Sequence, residues 1–261
     1  VVRGLQGPSD AAVLKAHACA KHFALHSGPE GTRHSYDAVV SERDLRETYL
    51  PAFKDLVTKA DVQEVMIAYN RFRGVPCGAS DYLINTILRG EWGYKGLIVS
   101  DCWAISDFFR PNAHAKTRPE AAAMAIKAGT DLNCGDSYED IPEAVKSGLL
   151  DEKDVDRSLV RLLAARMRLG ELQHNTAPWA HLKDGIVEGP EHLALSRKMA
   201  QETFVLLQNN GSILPLRADQ KVALVGPNAD DKAMMWGNYN GIPEQTITLL
   251  EGLKKRIPNL K

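Results

Sequence analysis

The sequence lacks several things, and each absence removes a class of protein. No apolar run in its 261 residues approaches the roughly 18–20 that a membrane-spanning helix needs. Neither sign of charge dominates. Lysine and arginine total 32 against 33 aspartates and glutamates, a net charge of −1, which gives no electrostatic footprint for nucleic acid or an anionic membrane surface. Cysteine is sparse, and Cys19, Cys77, Cys102 and Cys134 are scattered with no Cys-x-x-Cys pair. That spacing argues against zinc, and four are too few for a disulfide scaffold; they leave the redox compartment open. Val225-Gly226-Pro227-Asn228 follows an apolar run but is neither a dinucleotide fingerprint nor a P-loop, and Pro227 removes a donor. There is no internal repeat and no low-complexity tract. The chain begins at Val1 rather than Met and carries no signal peptide, so the expectation is a piece of a longer protein.

What is present reads as an ordinary globular chain, 44% apolar and 25% charged, long enough for one large domain or two smaller ones. Residues 17–23 form a compact apolar strand, 27–36 a polar Gly-rich loop, and Ser41 with Asp44 starts a helix running to about residue 59. A second strand covers residues 65–70, and Ser80 caps a helix through Trp92 with Leu83, Ile84, Ile87 and Leu88 on one face. A third strand, Leu97-Ile98-Val99, ends at Ser100 and Asp101. Thr117 and Glu120 pattern as a capping box for a helix that Gly129 terminates, and 130–134 is a short strand with polar residues at its end. Helices follow at about 138–147 and 151–169. Strand ends near residues 22, 69, 101 and 131 suit repeated βα units, hence an α/β fold with a parallel sheet or barrel. A closed barrel needs eight such units in about 250 residues; four are visible. Residues 172–190 are Pro/Gly-punctuated and read as a linker. Residues 191–208 pattern as an amphipathic helix with Leu195, Met199, Thr203 and Leu206 inward, and 221–227 as a buried strand opening a second α/β domain.

The organising stretch is residues 87–106, Ile-Leu-Arg-Gly-Glu-Trp-Gly-Tyr-Lys-Gly-Leu-Ile-Val-Ser-Asp-Cys-Trp-Ala-Ile-Ser. An unbroken apolar run of this kind suits a strand buried on both faces. Asp101 at its C-terminal end would lie at the mouth of an α/β fold, where barrel enzymes keep their chemistry; it reads equally well as a helix N-cap. The ungapped text Ile-Leu-Arg-x-Glu-x-x-x-x-Gly-Leu-Ile-Val-Ser-Asp-x-x-Ala resembles the signature around the nucleophile of glycoside hydrolase family 3.

That resemblance implies the following. Residues 1–171 are the C-terminal half of a (β/α)8 TIM-like barrel, 172–190 a linker, and 191–261 the beginning of an α/β sandwich domain; the text Val-Leu-Leu-Gln-Asn-Asn-Gly-Ser-Ile-Leu-Pro-Leu, then Val-Ala-Leu-Val-Gly-Pro-Asn-Ala-Asp, resembles the start of that second domain. Asp101 is the catalytic nucleophile. Lys21 and His22, in Ala-Lys-His-Phe, bind the sugar in the −1 subsite; by residue type alone they read as a surface pair at a strand end, or Lys21 as a Schiff-base nucleophile. Arg33 and, less closely, Glu30 in Gly-Pro-Glu-Gly-Thr-Arg-His reach the sugar, where bare composition suggests a solvated loop. Tyr69, in Ala-Tyr-Asn, lies beside the nucleophile and orients its carboxylate. Trp103 lines the sugar pocket or the core. His26 and His34 are acid/base candidates by residue type, but the Gly-Asp-Thr-x-x-Asp-Ser-His text of the branch that uses a His-Asp dyad is absent.

The implied activity is a retaining, exo-acting β-glycosidase on oligosaccharides of plant type. Cys102 after the nucleophile and the Cys134-Gly135 pair favour a β-xylosidase, with a β-glucosidase next. Asp131 reads as strand-end hydrogen bonding. No metal or cofactor is implied, and homo-oligomerisation is left open. The resemblance implies a periplasmic or secreted location, an acid/base glutamate beyond residue 261, and little turnover by residues 1–261 alone. A Schiff-base lyase using Lys21 and a non-catalytic sugar-binding relative are the readings from other classes.

Overall fold

In the computed structural model every residue is described except 27, 111–113, 173–176, 238–240, 258–259 and 261, together with the side chain of Asp184. Strands appear at β1 (Cys19–Phe23), β2 (Asp37–Ala38), β3 (Glu64–Ile67), β4 (Arg71–Phe72), β5 (Val75–Pro76) and β6 (Leu97–Ser100). β1, β3 and β6 form a parallel sheet in the order β1-β3-β6. Val65 pairs with Ile98 and Ile67 with Ser100, while the β1–β3 register slips between Ala20 and Phe23. The strand expected at 130–134 is reduced to a single parallel bridge between Val99 and Leu132, with the Ser100 N–H donating to the Leu132 carbonyl at 2.9 Å. Four parallel segments therefore lie side by side, and parallel pairing brings their C-terminal ends to one edge. All four residues of β6 are buried, as an apolar run covered on both faces requires. The small pairings β2–β4 and β4–β5 were not visible as strands because two residues carry no periodicity.

The helix at Tyr82–Glu91 packs on this sheet. Leu83, Ile84, Ile87 and Leu88 are fully buried beside Phe23, Val65, Ile67 and Ile98. The Ser80 hydroxyl accepts the Leu83 N–H at 3.3 Å, and the Trp92 N–H reaches the Ile87 carbonyl at 3.1 Å, the wide spacing of a π-turn. Ser41 caps its helix as expected, accepting from the Asp44 N–H at 3.1 Å. The segment runs in three pieces (Glu42–Asp44, Leu45–Tyr49, Pro51–Thr58) because Pro51 has no N–H to continue the ladder and starts a new helix instead. Thr117 caps the helix at Arg118–Ala128, and Gly129 ends it with φ 99°, a left-handed conformation that glycine adopts without strain. The Glu120 carboxylate takes the N–H of Lys116 rather than that of Thr117, so the capping box is half formed. The last helix of the region spans Glu152–Arg168.

Contacts divide the chain into two units, Val1–Ala180 and His181–Lys261. Part of the expected linker, residues 173–176, lies outside the described residues, as does Ser27 of the loop at 27–36. The second unit holds helices at Pro190–Thr203, Lys232–Trp236 and Leu249–Lys254. Two expectations fail here. The helix stops at Thr203, and its stripe is not inward: Leu195 and Met199 are each 58% exposed. Residues 221–227 form no strand, and Val225 is 85% exposed. An apolar run becomes a strand only against a neighbour that completes its hydrogen bonds, and among the described residues of this unit no strand is available to pair with it.

Candidate active site

The strand β6 is aimed by the residues before it. Arg89 leaves the buried helix and donates to the carbonyls of Tyr94 at 3.1 Å and Gly96 at 2.7 Å, closing the loop 90–96 onto the strand start. A Cβ at Gly96 would collide with the Gln63 carbonyl and the Tyr94 ring, so the chain can enter β6 there only as glycine. Arg89 also pairs with Asp131 at 2.8 Å, and Arg161 approaches the other carboxylate oxygen at 2.8 Å. The Ile98 N–H donates to Asp131 at 3.1 Å, while the N–H groups of Asp131 and Leu132 both donate to the Ile98 carbonyl. Asp131 is thus the structural strand-end residue the sequence suggested, and it locks segment 130–133 against β6.

Asp101 follows β6 at the C-terminal edge and is 8% exposed. One carboxylate oxygen accepts its own neighbour's N–H, Cys102, at 2.8 Å. The other lies 3.2 Å from His22 Nε2, at the end of β1. Burial pulls the His22 imidazole below its usual value, with the Asp101 charge opposing; near neutral pH the ring is uncharged, and the carboxylate fixes Nε2 as its N–H donor. The Tyr69 hydroxyl, after β3, donates to the Cys102 carbonyl at 2.8 Å. Burial, then the adjacent Asp101 charge, push the phenol's ionisation well up, so Tyr69 is a neutral donor. Its hydroxyl lies between the Cys102 carbonyl and the Asp101 carboxylate, whose charge and hydrogen bond both hold the phenol protonated.

Residues from the loop after β1 close over Tyr69. The Arg33 guanidinium lies 5.3 Å from the centre of its ring, and the His34 ring centre is 4.4 Å away. Arg33 is ion-paired to Glu30 at 2.9 Å. Glu30 itself is mostly solvated, as an exposed loop carboxylate would be. His34 Nδ1 meets Asp107 at 2.7 Å, tying this loop to the turn after β6. Burial raises the Asp107 carboxyl, with the His34 hydrogen bond opposing. The His34–Asp107 pair could not be read from the sequence, since the two residues lie far apart in the chain and neither sits in a patterned element. The His26 ring packs 4.5 Å from His22.

Lys21 is exposed and, with His22, His26, Thr48, Tyr49 and Phe53, lines a depression of about 350 Å³. Trp103 has φ 58° and is 61% exposed; its N–H donates to the Cys134 carbonyl at 2.6 Å. It therefore lies outside the core. Cys102 and Cys134 meet with their sulfur atoms 2.6 Å apart, and the hydrogen bond between them pushes the Cys134 thiol up to about 11. The structure thus brings His22, Tyr69 and Asp101 into one cluster, extends it with Arg33 and through it Glu30, and leaves Lys21 and Trp103 at its margin. Among the described residues no group of three or more His, Cys, Asp or Glu side chains could hold a metal ion.

A nearly buried carboxylate thus stands at the C-terminal edge of a parallel sheet, restrained by an imidazole and a backbone N–H. Residues 1–165 match the glycosyl hydrolase family 3 N-terminal domain and residues 204–260 its C-terminal domain. The chain belongs to glycosyl hydrolase family 3. It is 47% identical over 261 residues to a xylan 1,4-beta-xylosidase of Xylanibacter ruminicola, covering 98% of this chain and 30% of the relative. It is 38% identical to beta-D-xylosidase 1 of Arabidopsis thaliana, covering 97% and 34%. Among solved structures it resembles a family 3 exo-beta-xylosidase in complex with a xylobiose aziridine probe, with TM-score 0.88, 31% identity, and 97% of this chain covering 34% of that one. A beta-glucosidase from Listeria innocua in complex with glucose aligns with TM-score 0.83 and 29% identity, over 100% of this chain and 36% of that one. The chain therefore spans about a third of the length of these relatives.

Proposed function

We propose that this chain supplies the nucleophile side of the active site of a retaining β-glycosidase, with Asp101 as nucleophile. The observation that carries the reading is the environment of that carboxylate: nearly buried, with the Cys102 N–H at 2.8 Å from one oxygen and His22 Nε2 at 3.2 Å from the other. A retaining enzyme attacks the anomeric carbon with one carboxylate to form a glycosyl-enzyme ester; a second carboxyl, about 5–5.5 Å away, protonates the leaving oxygen and then deprotonates water. The acid/base group is assigned to no residue of this chain. His22 holds the nucleophile with one edge and meets sugar hydroxyls from the other. Arg33 and Glu30 approach the sugar from the loop over Tyr69, Lys21 from the end of β1, and Trp103 offers its exposed face to a sugar ring. No cofactor enters the mechanism.

On this reading residues 1–171 are the C-terminal half of a (β/α)8 barrel, 172–190 the linker and 191–261 the start of the sandwich domain. The substrate is a terminal β-linked sugar of a plant-type oligosaccharide. Xylose is favoured over glucose because the relatives named above are β-xylosidases at 38–47% identity and because Cys102 follows the nucleophile. The test uses the full polypeptide that carries this chain. Asp101→Asn should lower kcat on aryl β-xylosides by about 10⁴-fold or more, and kcat/KM for the β-xyloside should exceed that for the β-glucoside. Retained activity in D101N overturns the nucleophile; preference for the glucoside overturns the sugar.

A further inference from the structure

We infer that His34 and Asp107 are positioning residues, which together aim the Arg33 guanidinium at the sugar. The inference deepens the reading above and rests on it for the role of Arg33. His34 Nδ1 lies 2.7 Å from Asp107 Oδ2, and Arg33 Nε donates to His34 Nε2 at 3.2 Å. A guanidinium has only donors to offer, so His34 Nε2 must present its lone pair. The imidazole proton is then on Nδ1, where it donates to the Asp107 carboxylate. The chain of hydrogen bonds runs one way, from Arg33 through His34 to Asp107. Only the neutral Nδ1–H tautomer satisfies both ends of it. With each nitrogen engaged in this way, His34 acts through Arg33 and not on the substrate.

Asp107 is the fixed end of this chain. It stands in the turn Ser106–Phe108 that follows the nucleophile, between two buried neighbours, Ser106 and Phe108. Its own side chain is only 14% exposed, whereas that of His34 is 46% exposed. Arg33 is the adjustable end, on the loop after β1. A long side chain loses rotamer freedom when it grips a ligand, and holding it beforehand lessens that loss and sharpens the fit. Here His34 holds Nε, Glu30 holds Nη1 at 2.9 Å, and the Tyr69 ring lies 5.3 Å beneath the guanidinium carbon. His34 also packs on that ring, 4.4 Å between centres, so Arg33 and His34 share one aromatic floor. None of these contacts uses Arg33 Nη2, whose two N–H groups are the donors for a sugar hydroxyl.

The experiment measures kcat/KM of the full polypeptide on an aryl β-xyloside, well below each variant's melting temperature. His34→Asn keeps an amide N–H where Nδ1 stands, and with it the tie to Asp107, but has nothing in the place of Nε2. His34→Gln reaches that place with its amide oxygen. Arg33→Ala and His34→Asn are each expected to lower kcat/KM by about 10- to 100-fold, as is Asp107→Ala, and His34→Gln to return to within a few-fold of the wild type. In the Arg33→Ala background, His34→Asn should cause no further loss, because His34 has no other route to the substrate. Wild-type kcat/KM in His34→Asn reduces His34 to a loop tie and overturns the inference. So does a His34→Gln enzyme as impaired as His34→Asn, an undiminished loss in the Arg33→Ala background, or full activity in Arg33→Ala. Asp101→Asn reports separately on the reading beneath: full turnover there removes the nucleophile, whereas the outcomes above remove only the positioning of Arg33.

Discussion

Replacing Asp131 by alanine tests how the candidate site is built. The side chain is fully buried and accepts from Arg89 and Arg161, each at 2.8 Å, and from the Ile98 N–H at 3.1 Å. Deleting the carboxylate leaves two half-buried guanidinium groups facing each other without a counter-charge, and one strand N–H without an acceptor. Breaking a buried ion pair from one side costs about 3–5 kcal/mol, and the orphaned N–H adds on the order of 1 kcal/mol. Against a total stability of roughly 5–15 kcal/mol, that is a large fraction. Chemical denaturation followed by far-UV circular dichroism measures it as the change in unfolding free energy. Because the cost comes from stranded charges, a second change should recover part of it: Asp131→Ala with Arg161→Met should be more stable than Asp131→Ala alone. A loss below about 1 kcal/mol, or strictly additive effects in the double-mutant cycle, would refute the triad as the lock between segment 130–133 and β6.

Other outcomes follow from single contacts. Gly96→Ala forces a methyl group into the Gln63 carbonyl and the Tyr94 ring and should cost about 1–3 kcal/mol by the same denaturation assay. Thr117→Ala removes the hydroxyl that accepts the Glu120 N–H at 3.3 Å and should cost about 0.5–2 kcal/mol. The imidazole of His22 is held below its ordinary value by burial, so the unfolded chain binds this proton more readily than the folded one. Its contribution to stability is complete above the unfolded value near 6.5 and is lost as pH falls below it. Wild type minus His22→Gln, measured across pH 5 to 8, should show that slope, and identical slopes would contradict it.

Much of the first unit was legible because local signals and long-range packing agree there. β6 is buried throughout and apolar up to Ser100, the Tyr82–Glu91 helix has its apolar side chains at helical spacing, and Ser41, Thr117 and Gly129 each mark a helix end with a side chain or backbone suited to it. What was illegible depends on distance along the chain. The His34–Asp107 tie, the Tyr69 hydrogen bond to the Cys102 carbonyl and the meeting of Cys102 with Cys134 each join segments that only the sheet brings together. The Arg89 of the family signature illustrates the limit: the text marks it, but only the fold reveals that it binds two carbonyls and Asp131. In the second unit the same periodicity misled, since the apolar positions of 191–208 are exposed and none of those in 221–227 is buried.

The nucleophile is tested most directly by trapping. Treatment of the full polypeptide with a 2-deoxy-2-fluoro-β-xyloside bearing a good leaving group slows hydrolysis of the glycosyl-enzyme, and tandem mass spectrometry of the peptic digest locates the sugar. The account predicts one fluoroxylosyl ester, on Asp101. A stable label on any other residue, or full turnover with no covalent species, would contradict it.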